Sequence, residues 1–170
     1  MKEKMKKFYM SVAQSVSQLS TAEKLKVGCV AVKDDKIISF GYNGTPAGWD
    51  NKCEDTEYMA VDAGGLLDPE EIIKEWPHEQ WRDNIYKRYK LVTKPEVIHA
   101  EMNCLMKLAK SNESSQNSIL FITHAPCMNC SKAIYQAGIK HVYYKQTYRL
   151  CDGIDFLEKT STCIEQYNGD

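Results

Sequence analysis

Two short segments decide what this chain can fold into: His99-Ala100-Glu101 and, further on, Pro126-Cys127-Met128-Asn129-Cys130. Together they supply an imidazole and two thiols, good zinc ligands, so the backbone must bring both segments to one point. A site with three protein ligands leaves the fourth tetrahedral position to water, which separates catalytic zinc centres from closed structural ones. Zinc lowers the pKa of such a water towards neutrality. Glu101 is a carboxylate well placed to move protons. A lone Cys-x-x-Cys also occurs as a redox pair or as half of a zinc knuckle. A redox pair has no use for His-x-Glu, however, and a knuckle needs a second cysteine pair, which is missing near Cys127.

The surrounding sequence places each half of the pattern at the start of a helix. Residues 99–110 read as a short helix with apolar Ala100, Leu105, Leu108 and Ala109, stopped by the Ser/Asn/Glu-rich stretch 111–118. Ile119-Leu120-Phe121-Ile122 is a continuous apolar run, as in a strand buried on both faces. Pro126 suits a first helical position, which predicts a helix over about 127–137 with Gly138 as its left-handed cap. Val142-Tyr143-Tyr144 reads as the next strand, parallel to the first and reached by a crossover. The ligands then sit at helix N-termini, where exposed N–H groups and the positive end of the dipole favour thiolates.

Elsewhere the pattern builds an α/β layer fold. Phe8, Val12, Val16 and Leu19 recur at helical spacing, so the first twenty residues read as an amphipathic helix. Runs 27–32 and 37–42 are β-rich and joined by Asp34-Asp35, a two-residue hairpin turn. A short helix over 152–159 and an edge strand over 163–167 follow. The predicted architecture has three layers, a central mixed sheet of about five strands with helices on both faces. The insertion 44–97 is too long for a structureless loop. Asp68-Pro69 marks one helix start within it, with Glu70 and Glu71 suiting the dipole. A second helix is predicted over about 78–89; Trp76, Trp81, Tyr86 and Tyr89 read as a satellite core, an oligomer contact or a lid.

At 170 residues the chain has the length of one domain, 1–170, and its 43% hydrophobic and 26% charged residues allow an ordinary globular core. A formal net charge of −1 gives no electrostatic reason to expect a nucleic-acid partner. No apolar run approaches membrane-spanning length and no signal-peptide core follows the basic N-terminus, so a cytoplasmic protein with no membrane partner is expected. Of the seven cysteines, Cys29, Cys104, Cys151 and Cys163 read as reduced, mostly buried thiols.

The pattern His-x-Glu…Pro-Cys-x-x-Cys is the signature of the zinc-dependent nucleobase deaminases. Further stretches are Val27-Gly28-Cys29-Val30, Gly41-Tyr42-Asn43-Gly44, Val97-Ile98 before the His, Met102-Asn103 after the Glu, Thr123-His124-Ala125 and Gln136-Ala137-Gly138-Ile139-Lys140. With these the chain resembles the deoxycytidylate (dCMP) deaminase family of bacteria and large DNA phages. The zinc pattern alone reaches only the cytidine deaminase superfamily; Gly-Tyr-Asn-Gly, its spacing and Tyr148-Arg149 narrow it to the deoxynucleotide branch.

The resemblance implies a cytidine-deaminase-like fold and one catalytic Zn²⁺ per chain on His99, Cys127 and Cys130, with Glu101 as the catalytic acid–base. The implied reaction is hydrolysis of dCMP to dUMP and ammonia, supplying dUMP for thymidylate synthesis in the cytoplasm, that of the host if phage-encoded. Substrate contacts implied are Asn43 to the 3′-hydroxyl, Ala100 and Ala125, and Tyr148 and Arg149 to the 5′-phosphate, with Lys24 and Lys26 as other basic candidates. On the residues alone Asn43-Gly44 is also a tight-turn signal, and each lysine is also a solvated surface charge. A homo-oligomer is implied, a hexamer being common in this branch, with dCTP and dTTP as effectors and Tyr42, Gly44 and Lys110 as effector-binding candidates. Lys110 stands where some regulated relatives carry Arg, keeping the charge but losing the planar fork. Asp50, Glu54 and Asp55 read either as holders of Mg²⁺ that comes with a triphosphate or as an acidic surface loop. Some phage relatives bind a second, structural zinc; Cys53 and His78 fit it here, but no cysteine precedes Val27, so one zinc is expected. The rival readings are a free (deoxy)cytidine deaminase, a polynucleotide deaminase and a non-catalytic zinc module.

Overall fold

The computed structural model describes residues 1–60, 68–82, 85–147 and 151–169, with the Tyr86 side chain also outside the described residues. In chain order the elements are α1 (Glu3–Ser17), β1 (Gly28–Lys33), β2 (Lys36–Tyr42), β3 (Glu54–Tyr58), α2 (Pro69–Glu75), β4 (His78–Arg82) and β5 (Ile85–Thr93). They continue with α3 (Ala100–Ala109), β6 (Ile119–His124), α4 (Met128–Gln136), β7 (His141–Gln146), α5 (Asp152–Glu158) and β8 (Cys163–Gln166).

Five strands form the central sheet in the order β2-β1-β6-β7-β8. β1 runs antiparallel to both β2 and β6, whereas β6, β7 and β8 run parallel, so the sheet is mixed as expected. Asp34 and Asp35 in the β1–β2 turn have φ of 49° and 59°. That left-handed pair gives a two-residue turn the twist of its flanking strands.

Alternate residues of the inner strands feed two cores. Val30, Val32, Phe121 and Tyr143 pack against Tyr9, Met10, Ala13 and Val16 of α1. Cys29, Ala31, Leu120, Ile122 and Val142 pack on the other face with residues of α3, α4 and α5, among them Cys104, Leu108, Ile134 and Leu157. Each fully buried aliphatic side chain of this set contributes about 1.5–3 kcal/mol. Helices therefore cover both faces of the sheet.

The buried side of α1 keeps Val12 and Val16 of the Phe8–Val12–Val16–Leu19 stripe and leaves out its two ends. Phe8 is 52% and Leu19 55% exposed, while Tyr9, Met10, Ala13, Val16 and Ser17 face inward. The helix lies so close to β1 that a methyl group on Gly28 would sit 2.1 Å from the Ala13 carbonyl oxygen. Small residues are needed at that one crossing point, while Tyr9, Met10 and Val16 fill the core on either side of it.

Two other helices rest on glycine in the same way. A methyl group on Gly41 of β2 would come within 2.2 Å of the Ala100 carbonyl oxygen and 2.4 Å of the Cys104 nitrogen in α3. One on Gly153 of α5 would come within 2.1 Å of the Pro126 carbonyl oxygen and 2.8 Å of the Cys127 carbonyl carbon. α4 ends in the pattern expected of a glycine cap: Gly138 has φ 69°, its N–H reaches Tyr135 O and the Ile139 N–H reaches Ile134 O. Its start is shifted, for Cys127 is the N-cap and Pro126 precedes it, outside the helix.

The insertion corrects one expectation. Asp68 caps α2 by accepting the Glu70 N–H, as read from the sequence. The described residues of 78–89, however, are strands and not a helix: β4 and the first part of β5 occupy them, and with β3 they form a second sheet in the order β3-β5-β4. His78, Tyr58 and Tyr89 stack on one face, while Trp76 is buried beneath Lys90 on the other and Trp81 is 73% exposed. Cysteine burial also departs from expectation, since Cys29 and Cys104 are buried but Cys151 and Cys163 are exposed. No helix among the described residues is long and apolar enough to cross a membrane.

Candidate active site

The parallel strands β6 and β7 end side by side, with His124 and Gln146 paired in register. Ligand sites of α/β sheets collect at such carboxyl ends. α3 and α4 begin nearby: His99 is the N-cap of α3, Cys127 is the N-cap of α4, and Cys130 lies in its first turn. His99 Nδ1 lies 3.6 Å from Cys127 Sγ and 3.5 Å from Cys130 Sγ. Zinc bonds of about 2.0–2.1 Å to nitrogen and 2.3 Å to sulfur at a tetrahedral angle give an N···S edge of about 3.6 Å. The donor set thus fits zinc in both chemistry and size. Among the described residues no other His, Cys, Asp or Glu group is arranged to hold a metal.

The charges in this cluster are tuned by contact. A hydrogen bond from the Cys130 thiol, assisted by His99, pulls the Cys127 pKa down to about 3. That same bond, together with burial, holds the proton on Cys130. The bond to Cys127 raises the His99 pKa against the effect of burial. Glu101 is 4% exposed, and burial pushes its carboxyl pKa up against the pull of its own backbone N–H and of His99. An upward shift brings a carboxyl group closer to the range in which it can both take and return protons.

His99, Glu101 and Cys127 open onto a cleft of about 360 Å³, whereas Cys130 is buried and does not line it. Of the residues expected from the sequence, His99, Glu101, Cys127, Asn43, Ala100, Ala125 and Lys24 line it. Lys26 does not; it is exposed on the surface. Tyr42, Gly44 and Lys110 also lie off the cleft: the Tyr42 carbonyl accepts from Asn103, Gly44 bridges Ile98, and Lys110 is the exposed C-cap of α3. Tyr148 and Arg149 lie outside the described residues, although Gln146 and Thr147 just before them line the cleft.

Asn43 does not make a tight turn. Its Oδ1 accepts the Val27 N–H and its Nδ2 donates to the Leu25 carbonyl, each at 2.8 Å. One lone pair and one N–H of the amide remain beyond these bonds. The acidic loop residues do not converge either: Glu54 is buried against backbone amides and Asp50 pairs with Lys94 at 3.5 Å. Cys53, the second-zinc candidate, packs instead with Ala22 and Val97 in a small apolar cluster.

Sequence reading missed Leu25, Thr93, Val97, His124 and Gln146 as lining residues, and misread Glu54. The paired strand ends were the available signal for His124 and Gln146. Burial lowers the His124 pKa, with the Gln146 side chain opposing, and its Nδ1 lies 3.1 Å from the Thr123 hydroxyl.

The sequence profile of the cytidine and deoxycytidylate deaminase zinc-binding region matches residues 3–146. The chain belongs to this family. Among its relatives, the deoxycytidylate deaminase of enterobacteria phage T4 is 34% identical over 151 residues, covering 82% of this chain and 76% of that one. The dCMP deaminase of cyanophage S-TIM5, solved in complex with dCMP and dUMP, superposes with a TM-score of 0.75 at 38% identity. That match covers 98% of this family member and 99% of the phage enzyme.

Proposed function

We propose that this enzyme hydrolyses dCMP to dUMP and ammonia. The observation that carries the reading is the His99–Cys127–Cys130 cluster at zinc-sized spacing, with buried Glu101 beside it on one cleft. Likeness to the S-TIM5 enzyme over nearly its whole length supports dCMP as the substrate.

His99, Cys127 and Cys130 hold the metal from two helix N-termini. Bound zinc supplies Lewis acidity, which makes water a nucleophile near neutral pH. Glu101 takes a proton from the water that attacks C4 and passes it to N3. It then carries a second proton to the C4 amino group, which leaves as ammonia. The Ala100 N–H belongs to the first helical turn and has no intrahelical acceptor, so it is suited to hold the base. The Ala125 N–H is spent on the Gln146 carbonyl, leaving the Ala125 carbonyl for that purpose. Asn43 offers its remaining donor and acceptor to the 3′-hydroxyl. Tyr148, Arg149 and the cleft-lining Lys24 take the 5′-phosphate.

Ammonia release from dCMP and from deoxycytidine by zinc-loaded protein tests this. A strong preference for dCMP that Arg149→Ala or Lys24→Ala weakens is expected; equal turnover of both substrates would assign the enzyme to free nucleosides. Regulation and assembly complete the proposal: a homo-oligomer, hexameric by resemblance, activated by dCTP and inhibited by dTTP with Mg²⁺ accompanying the triphosphate, and supplying dUMP for thymidylate in the cytoplasm. The dCMP saturation curve should be sigmoidal and become hyperbolic with dCTP, a coupling of about 1–3 kcal/mol. A monomer, or a curve indifferent to both triphosphates, overturns that part.

A further inference from the structure

The segment between α1 and β1 has no regular secondary structure, so its backbone polar groups need partners from side chains. Two side chains supply four of them. Asn43 fixes Leu25 and Val27 from the end of β2. Glu54, the first residue of β3, accepts the Glu23 N–H on Oε2 and the Lys24 N–H on Oε1, both at 3.2 Å. Glu54 is only 6% exposed, yet it lines the cleft with Lys24, Leu25 and Thr93. The hydrolytic steps above do not use it.

The residue type matters. Two consecutive N–H groups need two acceptors side by side, and a carboxylate presents two, whereas a carboxamide presents one acceptor and one donor. Hydrogen bonds from N–H to a charged acceptor are the stronger kind. Among the described residues the second sheet meets the cleft through Glu54 and Thr93, and Glu54 ties it to the wall formed by Lys24 and Leu25.

We infer that Glu54 is a positioning residue for the nucleotide: it clamps the Glu23–Lys24 backbone and so sets the cleft wall that carries Lys24 and Leu25. This rests on reading the cleft as the dCMP site. The accessory sheet then acts on substrate affinity and not on the hydrolytic step.

The test compares wild type, Glu54→Gln and Glu54→Ala as full-length, zinc-loaded proteins. KM for dCMP should rise about tenfold in Glu54→Ala and less in Glu54→Gln, which keeps one acceptor. Turnover number should stay within about twofold and zinc content should not change. Affinity for dUMP, measured calorimetrically, should weaken in the same order. Amide hydrogen exchange at Glu23 and Lys24 should accelerate in that order too, a readout independent of activity. Should Glu54→Ala fail to fold, Glu54→Gln carries the same comparison. Faster exchange with unchanged KM and dUMP affinity would reduce Glu54 to a purely structural role and overturn the inference. So would unchanged exchange at both amides, or a fall in turnover at constant KM. A wild type that neither turns over dCMP nor binds dUMP would instead overturn the deaminase reading itself.

Discussion

Replacing Gly41 by Ala probes how tightly the metal site depends on the sheet beneath it. The added methyl would lie 2.2 Å from the Ala100 carbonyl oxygen, 2.4 Å from the Cys104 nitrogen and 3.0 Å from its Cα. All three are backbone atoms, so no side chain can swing aside. Restoring an ordinary contact of about 3.4 Å requires α3 to move by roughly 1 Å away from β2. Overpacking of this kind costs about 1–3 kcal/mol. In a chain of 170 residues that lowers Tm by roughly 2–12 °C. The displacement also reaches the chemistry, because His99 caps α3 while both cysteines ride on α4. A 1 Å error of placement costs about 10²-fold in rate. Deamination of dCMP, zinc content by mass spectrometry and thermal melting together read the effect. Gly44→Ala is the melting control, since a methyl there meets nothing closer than a Tyr42 ring carbon at 4.0 Å. A Gly41→Ala protein with full zinc, unchanged Tm and unchanged turnover would refute the reasoning.

Three further outcomes follow from the site and the core. Glu101→Gln keeps the shape of a buried side chain and should retain zinc while losing about 10²–10⁴-fold in turnover; a zinc-replete variant with near wild-type activity removes Glu101 from its role. Stripping the metal with a chelator should destabilise the protein, and zinc at about 100 times its Kd should return about 2.7 kcal/mol, one ion per chain; a second tightly bound ion would contradict the apolar packing of Cys53. Burial holds the His141 pKa below its usual value, with Glu165 opposing and Lys6 and the amino terminus reinforcing, against the face of Tyr143. The unfolded chain then binds that proton more readily, so stability is full above about pH 6.5 and declines as pH falls. His124 contributes in the same direction. Melting curves from about pH 7.5 to 5.5 should show a shallower decline in His141→Gln, and an identical slope would exclude this histidine.

Where sequence pattern and local packing demand the same thing, the fold was legible. The helix starts at His99 and Cys127, the buried run of β6 and the Gly138 cap all follow from local chemistry, and they bring His99, Cys127 and Cys130 together. Long-range packing hid the rest. The inward face of α1 includes Val12 and Val16 of the expected stripe but turns towards Tyr9, Met10 and Ala13, where the helix crosses Gly28 closely. Residues 78–89 carry aromatic residues at spacings that suit either a helix or strands, and only pairing with β3 settles them as strands. Asp83-Asn84, residue types that favour turns, was the signal passed over. Glu54 drew attention as a surface acid, because nothing in its neighbourhood announces that two amides from the α1–β1 segment come to meet it.

Gly153 carries a consequence for where this catalytic unit ends. The family profile stops at residue 146, yet α5 lies beyond it and rests without a side chain on the Pro126–Cys127 backbone. The proposed ligand Cys127 is therefore braced from behind by a helix beyond the region that the family profile matches. A chain trimmed to residue 146 would keep His99, Cys127 and Cys130 and still leave the Cys127 turn without its support. The end of the profile match and the end of the support for the proposed metal site fall in different places, and fusions or truncations should respect the second.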